Sequence, residues 1–333
     1  MKKSHLFLSL ALSVLPLAGS AATVTLKNGD ISYTESTPWG DIAIDFARCM
    51  ANKLYTFSSV SLDGKELNHT DSDNIGPFLI DKKGWAGGNH TNDGRLSAET
   101  VDVSISVDGN ILACDTTVTG KVLTVEVVNN LRHPVDDSQL DIERMVYVVS
   151  GNSIEVFATH RFLNDEPETI ERYYGMQSMF IKETETLAPG TQFGIWTSYP
   201  VTNTGNEIKV VKSNAPAFST FVEHSANGYQ ASHMTRDGIG DRSWVADDDI
   251  VFIGNSWSKS YHKTIGMHPV KAGDSFGWHG IYTWFREPVS DRSRRGDEAC
   301  PTFDYGAYIA GEPYIFHLAP DGSMTPILLK TAE

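Results

Sequence analysis

Cysteine and basic residues are both scarce in this sequence. Only 3 of the 333 residues are cysteine, and 27 Lys and Arg stand against 42 Asp and Glu. The spacing of Cys49, Cys114 and Cys300 matches no zinc motif, and their odd number leaves at least one thiol outside any disulfide. The formal net charge of -15 repels phosphate, and no basic stripe offsets it. We therefore expect no nucleic-acid partner.

Several motifs that would identify an enzyme are also missing. The sequence contains no His-Glu-x-x-His, no Gly-x-Ser-x-Gly and no Gly-Lys-Ser/Thr ending to a glycine-rich loop, so no cofactor is expected. Asp71 and Asp73 resemble the start of a calcium loop, but Ile75 and Lys82 stand where further oxygen ligands belong. Residues 247–249 form a second acidic run. Both are more typical of solvated turns, so we assign no metal site and leave a structural calcium as an alternative.

A long hydrophobic run occurs only at the amino terminus. Lys2 and Lys3 precede an apolar stretch over residues 6–17, and small residues follow at 19–22. The stretch is too short to span a bilayer, and the pattern is typical of a cleaved secretory signal. We predict a signal peptide over residues 1–22 and export to a periplasm or to the cell exterior, without membrane insertion. A buried N-terminal helix is the alternative.

The rest of the chain shows the alternating pattern of β-strands. Asn-Gly and Asp-Gly pairs, which favour tight hairpin turns, occur at residues 28–29, 63–64, 108–109 and 227–228. Residues 101–107 alternate strictly between apolar and polar side chains, which indicates a strand with one buried face. The predicted strands cover residues 22–26, 31–34, 54–62, 101–107, 122–128, 145–149, 154–159, 218–224, 229–234, 249–254 and 280–285.

Helix signals are few. Residues 41–54 place Ile42, Phe46, Cys49 and Leu54 on one helical face, which favours an amphipathic helix, with a short strand as the competing interpretation. Strands and helices do not alternate, which disfavours a parallel α/β fold. We predict an all-β protein, a large antiparallel β-sandwich of the supersandwich kind with few short helices. Residues 23–333 are expected to form a single domain.

The densest polar cluster lies in residues 84–95, where four glycines allow unusual backbone conformations and close approach of a ligand. Trp85 offers a flat apolar face, and Asn89, His90 and Arg95 offer hydrogen-bonding groups suited to a hydroxylated or carboxylated ligand. The alternative is a structural loop whose polar groups bond to its own backbone.

A second cluster combines His160 and Arg161 with Arg172 and Tyr174. His160 shares a strand face with apolar residues, so a core histidine is the better interpretation. Tyr174 becomes a credible proton donor or base if a cation such as Arg161 or Arg172 lies beside it.

A third cluster brings aromatic rings, imidazoles and cations together in an otherwise acidic chain, which could hold an anionic ligand. Its candidate residues are Lys259, Tyr261, His262, Trp278 and His279. A strand edge protected by lysines is the alternative.

An exported, acidic, aromatic-rich β-sandwich with Trp, His, Tyr and Arg in its loops resembles the secreted polysaccharide-degrading proteins of bacteria. It looks most like those with a galactose-mutarotase-like double sheet. The resemblance implies a polysaccharide or oligosaccharide as partner and, as first hypothesis, a polysaccharide lyase that cleaves a uronate-containing glycan by β-elimination.

Each step of this hypothetical reaction has candidate residues. Asn89 and Arg95 would neutralise the substrate carboxylate, His90 would be the base and Tyr174 the acid. The full candidate sets are His90, Tyr174, Arg172 and His262 for catalysis, and Trp85, Asn89, Arg95, Lys259, Tyr261, Trp278 and His279 for substrate binding.

Two other functions remain open. A glycoside hydrolase would need two flanking carboxylates, for which Glu171, Glu223 and Asp237 are candidates. A non-catalytic glycan-binding protein needs only aromatic platforms and hydrogen-bonding loops.

Overall fold

The described part of the chain folds almost entirely into antiparallel β-strands. The computed structural model describes residues 21–37, 40–68, 74–181, 184–189, 196–201, 208–212, 218–235, 244, 249–254, 259–286, 314–318 and 324–328. This confirms the predicted all-β sandwich class. Within these ranges no helix has the length and apolar character that crossing a membrane requires.

The first sheet has six strands from the amino-terminal part of the chain. In spatial order they are β12 (Thr116–Gly120), β1 (Ala22–Lys27), β2 (Asp30–Thr37), β3 (Gly40–Cys49), β4 (Leu54–Leu62) and β5 (Lys65–Asn68). Ala22, which the sequence places at the end of the signal peptide, is a buried residue of β1. Residues 1–20 lie outside the described residues, so the signal peptide stays a prediction.

The second sheet has ten strands and is the largest. Its order is β11 (Asn110–Ile111), β10 (Ala98–Val107), β13 (Leu123–Arg132), β14 (Gln139–Ser150), β15 (Ser153–Phe162), β25 (Ser275–Phe285), β21 (Gly228–Thr235), β20 (Phe218–Ser225), β17 (Thr184–Pro189) and β18 (Trp196–Val201).

The third sheet has seven strands and carries the candidate site. Its order is β19 (Ile208–Lys212), β22 (Asp249–Gly254), β23 (Lys259–Ile265), β16 (Glu168–Met179), β6 (Phe78–Ile80) and β7 (Gly84–Ala86), with β24 (His268–Val270) also paired to β16. Two hairpins stand apart, β8 (Thr91–Asn92) with β9 (Arg95–Leu96), and β26 (Tyr314–Leu318) with β27 (Met324–Leu328).

One face of the ten-stranded sheet packs against both smaller sheets. Phe57 of the six-stranded sheet meets Trp284 of the ten-stranded sheet at a ring-centroid distance of 6.0 Å. Phe78 of the seven-stranded sheet meets Phe276 of the same large sheet, also at 6.0 Å. All four rings are buried. The core is therefore the space between one large sheet and two smaller ones, as expected for a sandwich.

The hairpin turns follow from their sequences. Asn28 and Gly29 have φ values of 54° and 86°, and Asp108 and Gly109 have 49° and 79°. Two consecutive positive φ values define the tight turn whose twist matches that of the flanking strands, and Asn, Asp and Gly tolerate them best. The turns predicted at these pairs are confirmed.

The helix predicted over residues 41–54 is wrong. Most of that segment is β3, in which Ile42, Ile44 and Phe46 point into the core while the residues between them are more exposed. Ile42 and Phe46 would face the core in a helix and in a strand alike. Ile44 lies between them and would face the core only in a strand, in which every second side chain points the same way. The β-branched isoleucines favour the extended form further.

Candidate functional site

The candidate site lies on the outer face of the seven-stranded sheet. Leu79 of β6 is the cross-strand neighbour of both Trp85 in β7 and Arg172 in β16, so these side chains share one face. The adjacent Phe78 points the other way and stacks on Tyr173 in the core. Because side chains alternate along a strand, Trp85 and Arg172 stand on the side away from the core.

Four rings form a continuous group on this face, which we call the aromatic row: His90, Trp85, Tyr174 and Tyr261. The imidazole of His90 stacks on the indole of Trp85 at 4.6 Å and 16°. Trp85 is 6.2 Å from Tyr174, and Tyr174 is 4.8 Å from Tyr261. The row thus combines Trp85 and His90 of the first sequence cluster with Tyr174 of the second and Tyr261 of the third.

Arg172 supplies a positive charge to the aromatic row. Its Nη1 donates to the phenolic oxygen of Tyr174 at 3.4 Å, and its other Nη pairs with the carboxylate of Glu171. The hydrogen bond to Tyr174, together with the pairing to Glu171, raises the pKa of the Arg172 guanidinium above its usual value. The cation therefore stays charged and in contact with a hydroxyl that could exchange a proton.

A second cation lies on the same face. Ser260, His262 and Thr264 of β23 are fully buried, whereas the alternate residues Lys259 and Tyr261 are only half-buried. Lys259 therefore shares the outer face with Tyr261.

Close backbone approach sets the position of Tyr174. Ile75 forms an isolated bridge with Met176, and the Gly76 amide donates to the Gly175 carbonyl at 3.2 Å. A Cβ placed on Gly76 would lie 1.1 Å from the carbonyl oxygen of Tyr174. Only glycine fits there, which lets residues 74–77 lie directly against β16.

Two residues predicted to bind substrate are engaged elsewhere. Arg95 is exposed in the β8–β9 hairpin, and its guanidinium donates to the carbonyl of Pro134 at 3.4 Å. Asn89 accepts a hydrogen bond from the amide of Ala51 at 2.6 Å through its side-chain oxygen. Their sequence proximity to Trp85 and His90 does not by itself place their polar groups beside Tyr174.

Three further candidates lie away from the aromatic row. Trp278, a candidate for substrate binding, is instead 3% exposed and donates to the hydroxyl of Tyr173 at 2.9 Å in the core. His262 is fully buried on the inner side of β23, which separates it from the row. His279 lies on the outer face of the opposite sheet, where it stacks on Phe157 at 4.6 Å.

The interpretation of His160 as a core histidine is confirmed. It is 2% exposed, and its ring nitrogens lie 2.7 Å from Asp141 and 2.9 Å from the hydroxyl of Tyr173. Burial lowers the pKa of His160, but the neighbouring carboxylates of Asp141 and Glu143 together outweigh this effect and raise that pKa overall. Neither Asp141 nor Tyr173 could be predicted in this role from local sequence, because the bonds cross between strands.

The structure describes two of the three candidate carboxylates for hydrolysis, and these two lie in different surroundings. Glu171 pairs with Arg172 at the row, Glu223 is fully buried, and Asp237 lies outside the described residues. Burial raises the pKa of Glu223 to about 7. The hydrogen bonds from Ser178 and Ser260 lower that pKa, but by less than burial raises it. Asp71 and Asp73 also lie outside the described residues, so the calcium alternative stays untested.

Comparison with known proteins gives matches to solved structures alone. No family model and no curated protein matches the chain. The family 36 α-galactosidase AgaB from Geobacillus stearothermophilus matches with a TM-score of 0.47 and 9% identity, over 79% of this chain and 41% of that one. A family 97 glycoside hydrolase from Pseudoalteromonas, solved with panose, has a TM-score of 0.42, 11% identity and coverages of 75% and 35%. An aldose 1-epimerase, described as putative, from Klebsiella pneumoniae has a TM-score of 0.41, 8% identity and coverages of 80% and 85%.

These matches agree with the architectural resemblance to carbohydrate-active β-sandwich proteins. The chain spans well under half the length of the two glycoside hydrolases, 41% and 35%. With TM-scores below 0.5, the matches assign neither an activity nor a residue role to this chain.

Proposed function

We propose that the protein is carbohydrate-active and binds a glycan at the aromatic row. The observation that carries this proposal is the convergence of Trp85, Tyr174 and Tyr261 on one outer face, with Arg172 in contact with Tyr174. Flat aromatic surface suits the apolar faces of sugar rings, and a few fixed polar groups beside it suit their hydroxyl and carboxyl groups.

We further propose that the glycan is acidic. The net charge of -15 disfavours an anionic ligand at long range. At physiological ionic strength, however, that field is screened over about 8 Å, so the nearest charges decide. Arg172 and Lys259 share the face of the row, and Glu171 offsets only one of these two positive charges, so the three groups together favour a carboxylate.

The proposed reaction is β-elimination. A base removes the proton on the carbon beside the uronate carboxylate, a double bond forms to the next carbon, and the glycosidic C–O bond at that carbon breaks. An acid then protonates the leaving oxygen. We assign Arg172 to the carboxylate because it contacts Tyr174, in place of Asn89 and Arg95, whose polar groups bond to Ala51 and Pro134. His90 remains the proposed base and Tyr174 the proposed acid.

The test combines two assays on the purified protein with uronate-containing polysaccharides. A lyase produces new reducing ends and new ultraviolet absorbance from the unsaturated product together. We expect Tyr174→Phe to lower turnover by about 100-fold or more, because the ring stays and the proton donor is lost. Tyr55→Phe is the matched control, since it removes a tyrosine hydroxyl in the six-stranded sheet, where that group donates to the carbonyl of Gly29 at 2.7 Å, and it should retain turnover. Equal activity of both variants would refute the assignment.

Non-catalytic glycan binding is the second candidate, because the aromatic row is sufficient for it. Binding that Trp85→Ala abolishes, with neither absorbance nor reducing ends from the unaltered protein, would establish this function. Reducing ends without absorbance would indicate a glycoside hydrolase instead.

We also propose that the protein acts after export. The basis is the charged, apolar and small-residue order of residues 1–22. Mass spectrometry of protein recovered from outside the cytoplasm should show an amino terminus at residue 22 or 23. An intact Met1 on exported protein would refute cleavage.

A further inference from the structure

A buried amide ties the loop of residues 87–90 to a neighbouring turn. Asn52 lies in the β3–β4 turn of residues 50–53 and is 1% exposed. Its Nδ2 lies 2.8 Å from the carbonyl oxygens of both Gly88 and His90, and its Oδ1 accepts from the amide of Ser97 at 2.9 Å. One side chain thus serves backbone groups on both sides of the β8–β9 hairpin.

Ser97 completes this connection. Its hydroxyl accepts from the amide of Gly87 at 3.0 Å and donates to the carbonyl of His90. The carbonyl of His90 therefore receives hydrogen bonds from Asn52 and Ser97 at once. Because a buried carbonyl that loses its donors is costly, these bonds hold the backbone of His90 in one place.

The turn that carries Asn52 has an unfavourable backbone conformation. Met50 and Lys53 both have positive φ, 64° and 55°, which side chains of their kind rarely adopt. Such conformations persist where surrounding contacts hold them. The amide of Ala51, in the same turn, donates to the side-chain oxygen of Asn89 at 2.6 Å. Two adjacent turn residues, Ala51 and Asn52, therefore form hydrogen bonds with the loop of residues 87–90.

We propose that Asn52 is a positioning residue that holds the imidazole of His90 over the indole of Trp85. It acts through the backbone of His90, to whose carbonyl it donates at 2.8 Å. The effect on glycan affinity rests on the proposed function. The effect on the geometry of the two rings does not rest on it.

The test uses Asn52→Asp, which keeps the size and the acceptor but removes the amide donor. The readout is the NMR signals of the His90 ring protons, assigned with His90→Ala. An indole face at 4.6 Å shifts those signals upfield, and Trp85→Leu gives the value without that shift. We expect Asn52→Asp to move the signals most of the way to the Trp85→Leu value.

The control is Asn152→Asp, a buried amide in the β14–β15 turn that donates to the carbonyl of Trp284. It should lower the unfolding midpoint comparably and leave the His90 signals unchanged. If Asn52→Asp does not fold, Ser97→Ala removes the other side chain that bonds the His90 carbonyl, and it should also displace the His90 ring signals. Unchanged His90 signals in the folded variant would overturn the proposal.

Glycan affinity separates this inference from the proposed function. We expect Asn52→Asp to weaken binding by about tenfold, the effect of one lost positioning hydrogen bond. If the unaltered protein binds no glycan, the proposed function fails, and the NMR result still decides the role of Asn52.

Discussion

Replacing the buried Glu223 with glutamine should remove a specific part of the pH dependence of folding. Glu223 accepts hydrogen bonds from Ser178, from Ser260 at 3.0 Å and from Gln230 at 3.0 Å, all of them neutral donors. Burial raises its pKa from 4.5 to about 7. The folded state therefore prefers the protonated, uncharged carboxyl group.

The sign follows from linkage. A raised pKa in the folded state means that folding takes up a proton between about pH 4.5 and 7. Glu223 then contributes its full stability below pH 4.5, loses it progressively as the pH rises to 7, and contributes least above that. The difference between 4.5 and about 7 corresponds to roughly 3 kcal/mol.

Glutamine imitates the neutral acid. Its carbonyl can accept from Ser178 and Gln230, and its amide can donate to Ser260, whose hydroxyl rotates. The free energy of unfolding of Glu223→Gln should therefore match that of the unaltered protein near pH 4.5 and exceed it by roughly 3 kcal/mol at pH 8.

The assay is denaturant unfolding of both proteins from pH 5 to 9. The quantity compared is the difference in unfolding free energy, because other titrating groups cancel in it. Glu126→Gln, which removes an exposed carboxylate, should show a difference that stays flat over this range. A flat difference for Glu223→Gln, or one that grows towards acid, would refute the reasoning.

Three further variants test the packing and the turns. Phe57→Ala should destabilise the protein by about 3–5 kcal/mol in denaturant unfolding, because this ring fills the core between two sheets; a loss below 1 kcal/mol would contradict that packing. Gly76→Ala should separate its segment from the carbonyl of Tyr174 and abolish glycan binding and turnover while secondary structure by circular dichroism is retained. Asp108→Ala should cost about 1 kcal/mol or more, because alanine disfavours its φ of 49° and the acceptor for the amide of Val122 is lost; an unchanged unfolding midpoint would contradict it.

Local signals in the sequence predicted much of the fold. Asn28-Gly29 and Asp108-Gly109 specify their turns because few residues accept two consecutive positive φ values. Alternation specified β10, whose Ile105 and Val107 are buried, although Val101 on the same predicted face is 50% exposed because the register shifts between Thr100 and Asp102. The error over residues 41–54 arose where apolar residues satisfy both the helical and the strand period, and neighbouring strands decide between them.

The site was predicted in its members more than in its arrangement. Trp85, Tyr174 and Tyr261 were all candidates, yet their convergence depends on β7, β6, β16 and β23 lying side by side. That order joins segments far apart in the chain, which no local pattern specifies. Residues that stabilise the site from behind, such as Asn52, carried no signal, because a buried asparagine in a turn looks like any other turn residue.

The pairing of β15 with β25 has a consequence for how the chain reaches its fold. Ser153 and Thr283 face each other in this pair and are 130 residues apart in sequence. A ribosome that makes about 5–20 residues per second needs several seconds to deliver the second strand after the first. During that interval β15 has an unpaired edge in the middle of the future ten-stranded sheet, a site for pairing with other chains. The central step in folding of the large sheet is therefore slow because of its high contact order. Chaperones that shield unpaired strand edges should raise the yield of folded protein more than slower synthesis does.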